Sequence, residues 1–310
     1  MSPTPAIRLR NLRKRFGARV ALAGIDLELA GAQLVGVVGP DGAGKTTLLR
    51  SLAGLLEVQA DEARVLGHGL SGDVRTLKAA VGYVPQAFSL PRDLSVMENL
   101  RFTARLHQLG HAEFERRAAA LLARTGLAPF TARPAGALSG GMKQKLAVSC
   151  ALLAEPALLL LDEPTAGVDV VARDEIWDML RERQRATLIL ISTSYLEEVA
   201  GCERLIYLDG GRVVADGTPE ALRAGVSIEL YRAWGDDPRA IARAARALAY
   251  VGESRAIGRY ARVEVPCERT PGAPQVLRDL AALPATVRVA EQAPIDMEAT
   301  LLHLARGPQA

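Results

Sequence analysis

The chain has 310 residues, a formal net charge of +3, 49% hydrophobic and 24% charged residues. These are ordinary globular values, and they exclude disorder or a collagen-like repeat as a description of the whole. No apolar run approaches the roughly 20 residues needed to span a bilayer; the best candidate, 147–161, is cut by Glu155-Pro156.

Residues 7–16 and 20–29 read as strands, and 33–38 as a short buried strand. A glycine-rich loop comes next, and then LLRSLAGLL, which has helical spacing. Further strands are expected around 63–66 and 80–84. From Leu94 to Ala154 three segments carry apolar faces at helical spacing. Residues 157–161 form an apolar strand ending at Asp162-Glu163-Pro164. After it come a helix (172–182), a strand (187–192), a helix (195–200) and a hairpin (204–215). This alternation argues for an α/β fold built on a parallel-rich sheet with the helical block inserted in it. Beyond Thr218-Pro219 the texture changes to a small α+β module without a chemical motif. The expected domains are 1–225, containing a helical subdomain at about 88–155, and 226–310.

Cys150, Cys202 and Cys267 are few and far apart, and the four histidines lack metal-ligand spacing. That points to a reducing cytosol without a disulfide framework or zinc centre. The opening MSPTPAIRLR has no apolar h-region, so no signal peptide is expected. The basic stretch from Arg8 to Arg19 reads as a solvated strand edge, not a phosphate-backbone patch, and no nucleic acid is expected.

Three motifs carry chemistry. In the first, Gly39-Pro40-Asp41-Gly42-Ala43-Gly44-Lys45-Thr46-Thr47 lies between a buried strand and a helix. Its glycines let successive N–H groups face phosphate oxygens, and the helix adds its positive N-terminus. Lys45 is placed to reach the β- and γ-phosphates and Thr46 to ligate Mg²⁺. In the second, the buried strand before Asp162 and Glu163 sets Asp162 for Mg²⁺ and Glu163 as general base for a water attacking the γ-phosphate. In the third, LSGGMKQKL, Ser139 can cap a helix whose first N–H groups Gly140 and Gly141 expose. One nucleotide does not need two such sites on one face, which suggests that a second copy supplies this one.

The span from about residue 7 to 218 resembles the nucleotide-binding domain of ATP-binding cassette (ABC) transporters. GPDGAGKT is similar to the Walker A loop, LSGGMKQKL to the ABC signature, LLLLDEP to Walker B, VPQ to the Q-loop and AGVD to the D-loop. The resemblance implies a P-loop NTPase cassette: a parallel-rich core, an antiparallel β-subdomain and a helical subdomain. It implies ATP and Mg²⁺ as ligands, Phe16 against adenine, Gln86 as a lever near the metal, and Asp169 in the D-loop. It also implies a head-to-tail dimer, homotypic or heterotypic, sandwiching two ATPs. The segment after Gln86 looks like the surface offered to the coupling helix of a membrane subunit. The C-terminal module is similar to that of ATPases serving ABC-2-type exporters, the drug, polyketide and polysaccharide efflux class. The implied role is ATP binding and hydrolysis on the cytoplasmic face of the inner (plasma) membrane, peripheral to separate ABC-2-type permease subunits.

Two positions depart from the family pattern. Asp41 replaces a frequent asparagine, and Ser194 stands where a histidine usually holds the γ-phosphate and attacking water. A hydroxyl still donates a hydrogen bond but is shorter than imidazole and carries no charge. Hydrolysis is expected to continue, because Glu163, Gln86 and the signature are intact. The alternatives are an ATP-clamping module with little turnover and a soluble ABC protein acting on ribosomes or DNA.

Overall fold

The computed structural model describes residues 6–196 and 198–306. The described chain divides into two compact units at Pro219/Glu220, beside the change of sequence texture at Thr218-Pro219; the expected boundary is 225/226.

The first unit opens with β1 (Ile7–Phe16) and β2 (Arg19–Leu29), antiparallel and joined by a tight turn. Next come β3 (Gln33–Val38) and α1 (Lys45–Leu52). The small strands β4 (Glu62–Val65) and β5 (His68–Gly69) complete a four-stranded antiparallel sheet of order β2-β1-β4-β5. A short helix, α2 (Arg75–Ala80), precedes β6 (Val81–Val84). It buries only Leu77, too little periodicity to be legible in the sequence.

The helical block comprises α3 (Val96–Leu106), α4 (His111–Thr125) and α5 (Gly140–Leu153). Ser95 and Glu98 form a capping box that starts α3, satisfying two otherwise orphan N–H groups. The three helices close over their own core of Val96, Leu100, Phe114, Leu122, Leu146 and Leu153.

β7 (Leu158–Asp162), α6 (Val170–Arg183), β8 (Leu188–Thr193), β9 (Arg204–Asp209) and β10 (Arg212–Gly217) complete the unit. The six-stranded sheet runs β10-β9-β3-β8-β7-β6. Strands β9, β3, β8, β7 and β6 pair in parallel, and β10 is antiparallel. Every residue of β7 and β8 is buried, which is why both begin as apolar runs, Leu158–Leu161 and Leu188–Ile191, before their polar carboxyl ends. Val35, Leu48, Leu160, Leu190 and Ile206 lie in the main core with β1 and β2 residues; each such side chain contributes about 1.5–3 kcal/mol by burial.

The helix expected over 195–200 runs through residue 197, outside the described residues. Beyond that residue the chain forms a 3₁₀ turn, Glu198–Gly201. The Thr193 hydroxyl accepts the Tyr195 N–H at 3.0 Å, and the next bonds run i to i−3, from Glu198 N to Tyr195 O and Cys202 N to Val199 O. Bonds of this i to i−3 kind are the tighter 3₁₀ pattern, used in short pieces.

At the division lies α7 (Pro219–Ala224). The second unit contains β11 (Ile228–Gly235), α8 (Pro238–Ala245), β12 (Glu253–Ile257), β13 (Tyr260–Pro266), α9 (Ala273–Ala281), β14 (Val287–Ala293) and α10 (Met297–Arg306). Its antiparallel sheet has the order β12-β13-β11-β14. Tyr231, Val263 and Val265 form a core with Ala245, Val276 and Leu280. Buried Arg262 pairs with Asp296 at 3.2 Å and Glu298 at 2.6 Å. No helix among the described residues is long and apolar enough to cross a membrane.

Candidate nucleotide site

Because β3, β6, β7 and β8 are parallel neighbours, their carboxyl ends share one edge. The segments leaving that edge are the Gly39–Thr46 loop, the Gln86 segment, Asp162-Glu163 and Ser194. Open α/β sheets bind ligands at such an edge.

The loop turns through an Ala43 N–H bond to the Pro40 carbonyl at 3.1 Å. Gly39 and Gly44 hold φ values of 151° and 109°, which L side chains rarely adopt. A Cβ on Gly39 would meet the Leu208 carbonyl oxygen at 2.0 Å, and one on Gly44 the Ala21 oxygen at 2.6 Å. Gly44 is also the N-cap of α1 and offers no side chain to its N–H groups. They remain donors for an anion, reinforced by the helix dipole.

A cavity of about 570 Å³ opens over this loop, lined by Phe16, Arg19, Ala21, Asp41–Thr47, Gln86 and Glu163. Its size lies in the range of small-molecule sites. Phe16, at the end of β1, is 50% exposed. Lys14 Nζ lies 5.1 Å from its ring centre. Buried Lys45 donates to the carbonyls of Gly39 (2.7 Å) and Pro40 (3.2 Å) and to Ser194 Oγ (3.3 Å).

Asp162 ends β7 and is 0% exposed. Its Oδ1 accepts from Thr46 Oγ1 at 2.9 Å and Ser192 Oγ at 2.7 Å, while its buried Oδ2 has no partner. A buried carboxylate oxygen without compensation is costly. It fits a hard cation, and the oxygen donors of Asp162 and Thr46 suit Mg²⁺, which usually keeps phosphate and water ligands besides one or two carboxylates. Among the described residues no group of three or more His, Cys, Asp or Glu could hold a metal, so phosphate oxygens would have to complete the shell.

Glu163 leaves the strand with φ 50°, a conformation costing about 1–3 kcal/mol for a non-glycine residue. Its N–H donates to Ser192 O at 3.0 Å and Ser192 Oγ at 3.1 Å. Its carboxylate accepts from Gln86 Nε2 at 2.9 Å and Ser194 Oγ at 3.0 Å. Asp41 Oδ1 is farther from Ser194 Oγ, at 3.4 Å. A hydroxyl has one proton; Lys45 occupies its acceptor side, so the proton goes to the nearer Glu163. Gln86 is thus tied to Glu163 and makes no bond to Asp162 or Thr46.

The structure brings together Phe16, the loop, Gln86, Asp162, Glu163 and Ser194. It does not bring in Ser139, Gly140, Gly141 or Asp169, none of which lines the cavity. Ser139 caps α5, accepting from Met142 N at 3.3 Å, and Asp169 caps α6, accepting from Ala172 N at 3.0 Å. These two caps lie close together: a Cβ on Gly141 would be 3.2 Å from Asp169 Oδ2. Sequence reasoning missed Ser192, which bonds both Asp162 and Glu163, and Arg19, on the cavity wall. Arg19 could have been noticed as the basic residue just beyond Phe16; a serine inside an apolar strand gives no such signal.

The profile of the ABC transporter family matches residues 22–166. The chain is 46% identical over 219 residues to the probable multidrug ABC transporter ATP-binding protein YbhF of Escherichia coli, covering 70% of this chain but only 38% of that protein. It is 39% identical over 221 residues to the daunorubicin resistance ATP-binding protein DrrA3 of Streptomyces coeruleorubidus, covering 71% of this chain and 70% of that one. The fold is similar to a solved ATP-binding subunit of an ABC transporter, with TM-score 0.67, 30% identity, and coverage of 71% and 92%. It is also similar to the ATP-binding cassette MJ0796, solved as a post-hydrolysis dimer with ADP and phosphate, with TM-score 0.64, 25% identity, and coverage of 68% and 98%. The loop, strand-end carboxylates and capped signature helix, together with these likenesses, show that the chain belongs to the ABC transporter family as an ATP-binding cassette.

Proposed function

We propose that this chain binds and hydrolyses ATP, with Mg²⁺, as the ATP-binding subunit of an ABC-2-type exporter whose membrane-spanning part lies in separate permease subunits at the cytoplasmic face of the inner membrane. The observation that carries the enzymatic reading is the placement of Glu163, held between Gln86 and Ser194 on the wall of the phosphate-loop cavity.

The loop N–H groups and the N-terminus of α1 bind the phosphates, and Phe16 offers a face to the base. Lys45 exchanges its carbonyl partners for phosphate oxygens. Thr46 and Asp162, with Gln86 beside them, would hold Mg²⁺, which when bound neutralises charge on the β- and γ-phosphates. Glu163 takes a proton from water as its oxygen attacks the γ-phosphorus; the bond to the β–γ bridging oxygen breaks, leaving ADP and phosphate. Ser194 orients the Glu163 carboxylate through its hydroxyl.

Ser139, Gly140 and Gly141 lie off the cavity, which supports completion of the site by a second copy. Val170 and Val171, just after Asp169, are 67% and 68% exposed, apolar surface suited to burial in such a pairing. A separate groove of about 310 Å³, lined by Leu55, Tyr83, Pro85, Leu90 and His107, opens beside the Gln86 segment; exposed Phe102 and Leu106 lie on α3. It supports docking of a permease segment. The names of the relatives support drug export as the transport class. Steady-state phosphate release with MgATP, against Glu163→Gln as control, tests the assignment; turnover no higher than in that variant overturns it in favour of an ATP clamp.

A further inference from the structure

Glu198 lies in the 3₁₀ turn after β8, and its side chain is only 4% exposed. Its Oε2 accepts from Thr165 Oγ1 at 2.8 Å and from Thr193 Oγ1 at 3.0 Å. Its Oε1 pairs with Arg173 Nε at 3.3 Å. The Arg173 guanidinium in turn lies 5.4 Å from the Tyr195 ring centre, within cation–π range. The turn is anchored from behind by Val199, which is fully buried and packs where a Cβ on Gly36 of β3 would lie.

The three groups on this carboxylate belong to three separate segments. Thr165 is two residues beyond Glu163, in the turn closed by Ala166 N to Glu163 O at 3.2 Å. Thr193 immediately precedes Ser194. Arg173 is in the first turn of α6, which Asp169 caps. One carboxylate therefore fixes both chain segments that present the Glu163–Ser194 hydrogen bond. Charge-assisted bonds in a buried setting hold geometry more firmly than neutral ones. Glu163 needs such a hold, because its left-handed backbone is a strained conformation that persists only when its surroundings over-determine it.

We propose that Glu198 is a positioning residue for hydrolysis: its carboxylate ties the turn after Glu163 to the end of β8 and so sets the spacing between the Glu163 carboxylate and the Ser194 hydroxyl. This rests on the reading of the cavity as an ATP-hydrolysing site. Glu198 touches neither cavity nor phosphate loop, so its loss leaves ATP binding intact and lowers turnover. Arg173 lies beside Oε1 as an ion pair without a hydrogen bond, a looser link to the start of α6.

The test is a double-mutant cycle in steady-state ATPase assays on the full chain. Glu198→Ala is expected to lower kcat roughly tenfold to a hundredfold, with KM for ATP changed by less than about twofold. Glu198→Gln, whose amide oxygen still accepts both threonine hydroxyls, recovers most of that loss. In a Ser194→Ala background, Glu198→Ala costs less than about threefold more, because the two act on one geometry. An unchanged kcat in Glu198→Ala overturns the proposal. So does an equal loss in both backgrounds, or a fall in kcat accompanied by a matching rise in KM, each the mark of a merely structural role. Should Glu198→Ala fail to fold, Thr165→Val and Thr193→Val, each deleting one hydroxyl, enter the same cycle. Wild-type turnover no higher than that of Glu163→Gln overturns the reading of the site itself, whereas active wild type with unaffected Glu198 variants overturns this inference alone.

Discussion

Alanine at Gly141 and alanine at Gly140 are the same chemical change on adjacent residues in the first turn of α5, yet they meet different surroundings. A Cβ on Gly141 would lie 2.7 Å from Ala172 Cβ, 3.2 Å from Asp169 Oδ2 and 3.5 Å from Val168 Cγ1. A Cβ on Gly140 meets only the Gly167 carbonyl oxygen, at 3.8 Å. The Ala172 contact is with a short, stiff side chain on a helix, so α5 and α6 must separate, an overpacking cost of about 1–3 kcal/mol. Both variants gain similarly from replacing glycine in a helix, so that term cancels on subtraction. Gly141→Ala is therefore less stable than Gly140→Ala by about 1–3 kcal/mol, or about 0.4–1.2 M in urea midpoint at a slope near 2.5 kcal/mol/M. Urea unfolding followed by Trp177 fluorescence, in a Trp234→Phe background, measures this; Trp177 lies on α6 and is buried. Equal midpoints for the two variants would show that the signature helix does not pack against the Asp169 segment as described.

Gly44→Ala drives a Cβ to 2.6 Å from the Ala21 oxygen at φ 109°; it should weaken ATP binding at least tenfold in calorimetry, while the second unit keeps its unfolding transition. Chelation of Mg²⁺ should stop phosphate release, and Asp162→Ala should do so without chelation, because the buried oxygen without a partner is lost. Burial pushes the thiols of Cys150 and Cys202 up to about 12; at pH 8 only about 10⁻⁴ of each is thiolate. A neutral-pH alkylating agent should therefore label exposed Cys267 alone in the native chain. Burial opposes ionisation of Glu155, but the nearby Arg183, Arg117 and Arg116 outweigh it and hold its carboxyl below its ordinary value of 4.5. The stability this contributes is present above the ordinary value and lost as pH falls through the lowered one. The gap in thermal unfolding between wild type and Glu155→Gln should thus stay level above about pH 5 and close under acid.

The sequence is legible where local chemistry encodes the structure. The loop around Lys45, the unbroken apolar strand before Asp162 and the capping serine before Gly140-Gly141 each carry their signal within about ten residues. Shared placement on one sheet edge then came from strands alternating with helices. Features that depend on partners distant in the chain could not be read. Glu198 is the second of two adjacent glutamates in the sequence, with nothing local to single it out; its meaning lies in Thr165 and Arg173, which only folding brings to it. Ser192 looks like an ordinary polar residue in a strand, and its two bonds to the Asp162-Glu163 pair appear only when β7 and β8 are aligned. The expected helix after Ser194 gives way to the 3₁₀ turn Glu198–Gly201, whose Glu198 bonds Thr165 and whose Val199 is fully buried, features that no local pattern shows.

Sedimentation of the Glu163→Gln chain with and without MgATP puts the ATP sandwich to the most direct trial. Two chains should associate while holding two nucleotides, and the association should vanish when Lys45→Ala is added. A chain that binds no ATP under these conditions, or that binds it and stays single, contradicts the account.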